Sequence, residues 1–392
     1  MKLKLDRIFY FLIFFQIIST QGIITFNIFK YLGNWELKSI VHPISFFSLF
    51  IVVVLYRFKK RTIRIQPIDL LLFSYFFICF FVLIYNLNNF SKIYITFREI
   101  FLVSLLVFAY QQFTINQYYW RKLLKLLYIL VIVNLVFVLL THILGPEEYM
   151  KLLTGRFVWA TDPDYKFKIS SFLYFWRSPG VIGSPGNVGY FGLLTYLIFD
   201  QDEKYKKKSY LAILLAIVGF VRSVYVVLVI YWMLKFLLTK KNLKIIKLGL
   251  PYIFSVVILI CCFLYFKGAL DLTSLFMRID HWVNDIMVDF NVLFGGGIGK
   301  VGGAVRGEGF IATLDSYWLL MLISVGLVGI ILHSAFIYEK VLNNQKTVYA
   351  LVGFLFAGLF VTLTQGISFL VLFPMLFIIK TESVLNEKNS IK

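Results

Sequence analysis

The chain has 392 residues, 60% of them hydrophobic, and a formal net charge of +19. Its mean hydropathy of +0.83 excludes an ordinary soluble protein and is typical of a polytopic helical membrane protein. In a soluble protein this positive charge would suggest binding to nucleic acid. Here basic residues that flank apolar runs explain it, so no nucleic-acid partner is expected. No polar stretch is long enough for a separate soluble domain, and we predict one membrane domain over residues 1–392.

Apolar runs separated by basic clusters predict six crossings in the first half of the chain. Lys2 and Lys4 place the N-terminus in the cytoplasm, and clusters around residues 57–64, 121–125 and 204–208 mark each return. The first run is too long for a signal peptide and has no small-residue cleavage site, so it is kept as a span. The predicted crossings are residues 8–29, 39–56, 68–87, 94–113, 123–144 and 187–199.

The next apolar run, residues 209–238, is basic on both flanks and must therefore cross the membrane twice or not at all. A turn at Arg222–Ser223 leaves arms that reach only about 20–23 Å, short of the roughly 30 Å hydrocarbon core. Arg222 would then lie within the membrane, where an ionisable residue is a functional hypothesis by default. The alternative is one long tilted span in which Arg222 faces a partner helix.

Four further runs complete an all-α architecture of about twelve transmembrane helices with both termini in the cytoplasm. Two long outer loops are predicted, at about residues 145–185 and 267–314. Most lysines and arginines fall on the cytoplasmic side, and the outer ones are concentrated in these long loops, which the charge rule does not cover. The remaining spans are residues 245–266, 315–338, 347–364 and 366–379.

Arginines on the outer face suit an anionic ligand with planar oxygens, because guanidinium binds phosphate in a bidentate manner and stays charged. Arg156 and Arg177 lie in the first long loop, Arg278 and Arg306 in the second, and Arg222 between the loops. The alternative is neutralisation by acidic residues of the same loops, which is the stronger reading for Arg156 and Arg306. No acidic residue is close in sequence to Arg177 or Arg222, which favours a ligand there.

Within the second long loop, apolar residues between 275 and 290 recur at helical spacing, with Arg278 and His281 along one flank. This pattern predicts an amphipathic helix at the outer interface, or simple core packing of its apolar stripe. The glycine-rich run at residues 294–303 could cradle phosphate with backbone amides, although it matches no phosphate-loop spacing. Asp315 opens the next span and is either its N-cap or a proton acceptor.

Metal binding by histidine or cysteine is not expected. Cys79, Cys261 and Cys262 all fall inside apolar runs, so no disulfide staples the outer loops. The histidines have no ligand spacing. They are His42, His142, His281 and His333.

Taken together, these motifs resemble the O-antigen ligase and Wzy-type polysaccharide polymerase superfamily. Arg177–Gly180 followed by Pro185, Gly186 and Asn187 is similar to its Arg-x-x-Gly and Pro-x-Asn elements at a span entrance. Arg222–Ser223 is similar to its Ser-Arg hairpin, although Val221 stands where the family has Ser. The similarity covers most of the chain from about Leu123 onward. Its later members are Arg278, Trp282, the run 295–299, Asp315–Tyr317 and Gly326.

The resemblance implies an enzyme, a metal-independent glycosyltransferase without a cofactor that acts on polyprenyl-pyrophosphate-linked oligosaccharide at the outer face of the bacterial cytoplasmic membrane. Its arginines would hold the pyrophosphate and stabilise the leaving group, and a base would deprotonate the acceptor hydroxyl. The expected catalytic residues are Arg177, Arg222, Arg278 and Asp315. The expected substrate-binding residues are Arg156, Asn187, Ser223, His281, Arg306 and Tyr317.

Three functions follow from this interpretation. The ligases have His where this chain has Asp315, which favours a repeat-unit polymerase for O-antigen, capsule or exopolysaccharide. The first alternative is a ligase that moves finished glycan to another acceptor. The second is a flippase or transporter of lipid-linked oligosaccharide, which the one-sided placement of the arginines argues against. The expected partners are the lipid-linked substrate, the lipid bilayer and, as a further candidate, a chain-length regulator.

Overall fold

The computed structural model describes residues 5–33, 38–60, 65–87, 89–115, 117–155, 171–172, 175–238, 273–285, 288–305, 314–341 and 345–380. The described part is all-α in class, as predicted, apart from strands of two residues each. Apolar runs without interior charge favour helices because every backbone polar group is then satisfied within the segment. The helices are α1 Leu5–Ser19, α2 Gly22–Tyr31, α3 Lys38–Lys60, α4 Pro67–Asn86, α5 Phe90–Ile100, α6 Leu102–Gln111, α7 Gln117–Leu144, α8 Pro146–Thr154, α9 Pro185–Asp200, α10 Ser209–Val218, α11 Arg222–Leu237, α12 Thr273–Asp280, α13 Tyr317–Val341, α14 Gln345–Ala357 and α15 Ile367–Leu372.

The strands form two small pairings. One pairs β1 (Thr114–Ile115) with β4 (Ile379–Lys380) in parallel, and the other pairs β2 (Ser171–Phe172) with β3 (Phe175–Trp176) in antiparallel orientation. Neither pairing is long enough to form a sheet core. The first joins the chain after α6 to the segment after α15.

Four helices of the described chain are long and apolar enough to cross a membrane. The number rises to six if each of two bent helix pairs, α1 with α2 and α5 with α6, counts as one crossing. Length and composition therefore support a polytopic membrane protein. The four helical stretches are Ile40–Phe58, Pro67–Asn86, Gln117–Leu144 and Tyr317–Val341.

Internal contacts divide the chain into two compact units. Unit 1 contains residues 1–70, 101–225 and 364–392, and unit 2 contains residues 71–100 and 226–363. Both units are therefore assembled from segments that are distant in sequence. Arg177 and Arg222 belong to unit 1, and Asp315 belongs to unit 2.

In unit 1, α9 and α10 pack backbone against backbone. A Cβ atom added to Gly192 would lie 2.4 Å from the backbone nitrogen of Ala216, and one added to Gly219 would lie 2.8 Å from the Cα atom of Gly189. Small residues on both helices make this approach possible, as is common where helices associate in membranes. The end of α10 is thereby held against the first turns of α9.

Two predicted spans are interrupted in the structure. The predicted span 8–29 consists of α1 and α2, which meet at an angle of 94° around Thr20–Gln21. The predicted span 94–113 consists of α5 and α6, separated at Phe101. At the first break, Thr20 and Gln21 supply polar side chains, and the first amides of α2 find acceptors outside the helix. Such partners are what an interrupted helix requires.

The predicted turn at Arg222–Ser223 lies slightly earlier in the chain. Helix α10 ends at Val218 and α11 begins at Arg222, so the turn occupies residues 219–221. Phe220 has a φ of +48°, in the left-handed region that residues with a side chain rarely adopt. Arg222 therefore starts a helix instead of forming the turn.

In unit 2, α13 is broken in its middle. Gly326 has φ +67° and ψ −175°, a conformation open essentially only to glycine. A Cβ atom there would lie 2.3 Å from the carbonyl oxygen of Leu293. Gly326 therefore breaks the predicted span 315–338 in its interior.

Candidate functional site

Residues 177–184, called here the arginine loop, connect β3 to α9 in unit 1. Residues 178–183 are buried, which is unusual for a loop because its backbone polar groups then need partners within the protein. The hydroxyl of Tyr149 donates to the carbonyl oxygen of Gly180 at 2.7 Å, and Thr141 and Ser178 share a hydrogen bond of 2.7 Å between their hydroxyls. The loop is thus fixed by side chains of α7 and α8.

Asn134, in the apolar interior of α7, contributes most to holding the arginine loop. Its side chain is fully buried, and its Oδ1 atom accepts from the amide of Val181 at 3.0 Å. Its Nδ2 atom donates to Oε1 of Gln21 at 2.7 Å and to the carbonyl of Leu130 at 2.9 Å. The sequence interpretation missed Asn134. A single amide side chain within a long apolar run is the signal that could have identified it.

The same loop satisfies the start of α2. The amide of Gly22 donates to the carbonyl of Ile182 at 3.2 Å, and the amide of Ile23 donates to the carbonyl of Val181 at 2.9 Å. These are among the helix-start amides that have no partner within a helix. The break between α1 and α2 and the arginine loop therefore stabilise each other.

Gly180 is required where the loop passes Asn134. Its φ is +52°, and a Cβ atom would lie 2.6 Å from the Oδ1 atom of Asn134. That oxygen accepts a hydrogen bond from the amide of the next residue, Val181, so a side chain at position 180 would displace it. This explains the glycine of the Arg-x-x-Gly element in physical terms.

Arg177 stands at the start of this rigid loop. It is half-buried, and burial is the main factor that lowers the pKa of its guanidinium. The positive charge of Arg222 lowers this pKa further, and Tyr225 opposes both effects. Two arginines that are 45 residues apart in sequence therefore interact electrostatically in unit 1. Like charges held close together favour binding of an anion that neutralises them.

Arg222 itself is exposed and occupies the first position of α11. The hydroxyl of Tyr225, one turn later, donates to the carbonyl of Ile217 at 2.6 Å, which ties α11 back to α10. Phe220, two residues before this start, has a φ of +48°, which is a strained conformation for a residue with a side chain. The local backbone thus presents Arg222 at a helix start, where anions are also favoured.

Ser223 and Asn187 are the other predicted site residues of this unit that the structure describes. Ser223 is buried, and its hydroxyl accepts from the hydroxyl of Tyr190 at 2.7 Å, which joins α9 to α11. Asn187 is half-buried in the first turn of α9. Ser223 therefore takes part in helix packing beside the arginine pair.

The structure does not describe the side chains of the remaining predicted arginines. Arg156 and Arg306 lie outside the described residues, and Arg278 is described only as a backbone position of α12. His281 is half-buried at the first position of the π-helical turn, His281–Asp285, that follows α12. The amphipathic helix is predicted between residues 275 and 290. The structure is helical as far as the end of this turn, and residues 288–290 are not helical.

At the start of α13, the capping residue is Ser316. Its hydroxyl accepts from the amide of Leu319 at 3.3 Å, so Ser316 holds the N-cap position that the sequence suggested for Asp315. Asp315, one residue earlier, is exposed. Tyr317 is buried, and its hydroxyl shares a hydrogen bond of 3.2 Å with Nε2 of His333 on the same helix.

In the glycine-rich run at residues 294–303, several backbone amides are bonded to other groups of the protein. The amides of Gly296 and Gly297 donate to the carbonyls of Ser324 and Ile323 at 3.4 and 3.0 Å, next to the break in α13. Across the same break, the amide of Leu327 donates to the carbonyl of Val292 at 2.9 Å. Amides that are bonded to protein carbonyls are not free to bind a phosphate, so those of Gly296 and Gly297 do not take part in the predicted cradle.

The amide of Gly303 has a carboxylate partner that the sequence interpretation did not single out. It donates at 3.0 Å to the Oε2 atom of Glu99, on α5, and this acid is only 1% exposed. A Cβ atom on Gly303 would lie 2.3 Å from the other carboxylate oxygen. An acidic residue inside a predicted span was the available signal.

Within the described residues, no group of three or more His, Cys, Asp or Glu side chains is arranged to hold a metal ion. Among the predicted site residues, Arg177 and Arg222 are the pair that the structure shows to interact electrostatically. No protein family, curated protein or solved structure matches this chain. The arrangement of its own residues is the basis for any functional conclusion.

Proposed function

We propose that the protein is an oligosaccharide repeat-unit polymerase of the bacterial cytoplasmic membrane. In this proposal it transfers a polyprenyl-pyrophosphate-linked glycan to the next repeat unit at the outer face. The observation that supports it most is the electrostatic interaction between Arg177 and Arg222 next to a buried, rigid loop. Such a pair suits a diphosphate, because two guanidinium groups can share its four non-bridging oxygens in bidentate contacts.

The proposed reaction is a direct displacement at the anomeric carbon of the lipid-linked sugar. The acceptor hydroxyl oxygen forms the new glycosidic bond, and the bond from that carbon to the diphosphate breaks. The electron pair leaves with the polyprenyl diphosphate, and the hydroxyl proton passes to a base. Arg177 and Arg222 would stabilise the negative charge that develops on the leaving group, which is the position where fixed charge lowers a barrier most.

The remaining elements of the proposal rest on the sequence pattern and on the resemblance. They are twelve crossings with cytoplasmic termini, Asp315 as the base, Arg278 as a third diphosphate ligand, and chemistry without a metal. Asp315 is exposed, as a group that receives a proton from an incoming hydroxyl must be. Ser223 is assigned to packing and not to substrate contact because its hydroxyl is already bonded to Tyr190.

The decisive experiment is reconstitution of the purified protein in liposomes with polyprenyl-pyrophosphate-linked repeat units. A ladder of product lengths supports a polymerase. A single transfer to a distinct acceptor indicates a ligase, and movement of the lipid without bond formation indicates a flippase. Either of the last two outcomes overturns the proposal.

Substitutions at the arginine pair then locate the site. Arg177→Ala should lower the rate by about 100-fold or more, as loss of one preorganised charge-stabilising group does. Arg177→Lys should retain part of the activity, because it keeps the charge and loses bidentate geometry. Arg7→Ala is the matched control, since Arg7 is exposed in the same unit. Full activity of Arg177→Ala with normal membrane insertion would remove this residue from the site.

A further inference from the structure

A second basic site lies in unit 1, at the N-terminal end of α7. It is a pocket of about 450 Å³ between the first turns of α7 and the segment that joins α9 to α10. The side chains that could contact a ligand are three cations and two tyrosines. The lining residues are Gln117, Tyr118, Arg121, Lys122, Lys125 and Tyr205.

Cation–π contacts are present on and beside the walls of the pocket. The ammonium of Lys122 lies 4.4 Å from the ring centre of Tyr118. The ammonium of Lys208 lies 4.4 Å from the ring centre of Tyr128 and 4.9 Å from that of Tyr205. These cation–π contacts order long side chains that would otherwise be free in solvent.

Asp202, beside the pocket, offsets only part of its positive charge. One oxygen of Asp202 accepts from Nε1 of Trp120 at 3.1 Å, and the other accepts from the amide of Lys204 at 3.2 Å. Burial raises the pKa of Tyr205, the Asp202 charge adds to this, and Arg121 opposes it, so one cation and one anion both act on the pocket wall. Lys122 and Lys125 add positive charge beyond that balance.

The position of the pocket along α7 indicates how deep in the bilayer a bound ligand would lie. Helix α7 has 28 residues and is about 42 Å long at 1.5 Å per residue. It exceeds the roughly 30 Å hydrocarbon core by about 12 Å, so about two turns extend to the level of the headgroups. Tyr118 and Tyr210, which are 58% and 71% exposed, are typical of the interfacial aromatic belt at this end.

We propose that this pocket binds the phosphodiester headgroup of an anionic membrane phospholipid. Arg121, Lys122 and Lys125 supply the positive charge, and the tyrosine rings face the glycerol and upper acyl region. Basic pockets between helices on the cytoplasmic side bind anionic headgroups in this way, and the charge bias places this end of α7 on that side. A lipid is favoured over a soluble anion because the pocket opens at headgroup depth.

Native mass spectrometry of the full-length protein tests this site. The protein is purified from mixed phosphatidylglycerol and phosphatidylcholine, and the retained lipid is measured. The wild type should keep phosphatidylglycerol in preference to phosphatidylcholine. The triple variant R121Q/K122Q/K125Q should lower its affinity by roughly 100-fold, at about 1 kcal/mol for each basic residue.

The matched control is the triple variant K204Q/K206Q/K207Q. It removes the same charge from exposed positions of the neighbouring segment that do not line the pocket, and it should change retention by less than about twofold. If the pocket triple variant does not fold, the single variant K125Q should still lower affinity by about fivefold.

Three results would overturn the proposal. The first is equal retention of phosphatidylglycerol by the wild type and the pocket variant. The second is an equal loss in the pocket and control variants, which would indicate unspecific surface charge. The third is displacement of the lipid by millimolar inorganic phosphate, which would assign the pocket to a soluble anion. Lipid retention is independent of transferase activity, so this test is separate from that of the proposed function.

Discussion

The arginine loop of unit 1 and the glycine-rich run of unit 2 are both irregular stretches within an apolar chain, yet they are stabilised in opposite ways. In the arginine loop, side chains of neighbouring helices, above all Asn134 and Tyr149, bond the loop backbone. In the glycine-rich run, backbone bonds backbone across the break at Gly326. The first arrangement leaves a charged side chain, Arg177, at the edge of a rigid loop. The second uses its amides to repair an interrupted helix.

This difference shows why composition alone misidentifies ligand sites in membrane proteins. Glycine-rich backbone suggests anion binding only when its amides are available, and in unit 2 they are engaged by Ser324 and Ile323. In unit 1 the glycine at position 180 serves instead to let the loop pass Asn134. Anion binding is therefore expected at side-chain cations in unit 1 and not at backbone amides in unit 2.

Among the substitutions that test this comparison, Gly326→Ala should have the largest effect on stability. It places a Cβ atom 2.3 Å from a backbone oxygen at a φ of +67°, where strain cannot be relieved by a side-chain rotation. We expect a loss of at least about 3 kcal/mol in the free energy of unfolding. Unfolding by sodium dodecyl sulfate in mixed micelles, followed by circular dichroism, measures this loss.

Gly296→Ala is the control for this substitution. Gly296 has a φ of +121° but open space around it. The substitution Gly296→Ala therefore adds backbone strain without a steric clash, and it should lower the free energy of unfolding by about 1–2 kcal/mol. Equal losses for the two variants would show that close packing at the α13 break contributes nothing.

The substitution Asn134→Ala tests the opposite arrangement in unit 1. It leaves the amide of Val181 and the Oε1 atom of Gln21 without their bonds to Asn134 in a buried site. The expected loss is about 2–3 kcal/mol in the free energy of unfolding. Transferase activity should also fall, because the loop that positions Arg177 loses an anchor. The same denaturant titration, together with the liposome assay, measures both.

A double-mutant cycle with Gln21→Ala separates the bond between Asn134 and Gln21 from the other two bonds of Asn134. A coupling energy of about 0.5–1.5 kcal/mol is expected for the bond between the two amide side chains. Unchanged stability in Asn134→Ala would mean that the arginine loop does not depend on side-chain anchors, and the contrast with unit 2 would fail.

The smallest effect is expected for Tyr190→Phe. It removes the hydrogen bond from Tyr190 to Ser223 without changing the packed ring, and should lower stability by about 0.5–1.5 kcal/mol. Tyr210→Phe, at a ring that is 71% exposed, should change stability by less than about 0.5 kcal/mol. A marked loss of activity in Tyr190→Phe with unchanged stability would return Ser223 to the substrate site.

The sequence was sufficient to predict an all-helical protein, but not to predict where its helices are interrupted. Long apolar runs predict helices because length and hydropathy are local properties. The bend after Ser19 and the break at Gly326 depend on acceptors supplied by distant segments, which no local pattern contains. The electrostatic interaction of Arg177 with Arg222 connects two of the predicted site residues, and their predicted place on the outer face stays a prediction. The N-cap of α13 is Ser316, whereas the sequence suggested Asp315, one residue earlier.

The bonds between α2 and the arginine loop have a consequence for biosynthesis. The acceptors of the Gly22 and Ile23 amides, at Ile182 and Val181, are roughly 160 residues downstream by subtraction of the two positions. A ribosome adding about 5–20 residues per second needs roughly 10–30 seconds to supply them. During that interval unpaired amides are costly in lipid, so we expect the nascent α2 to wait in contact with water and to enter its final place only after the arginine loop has been made.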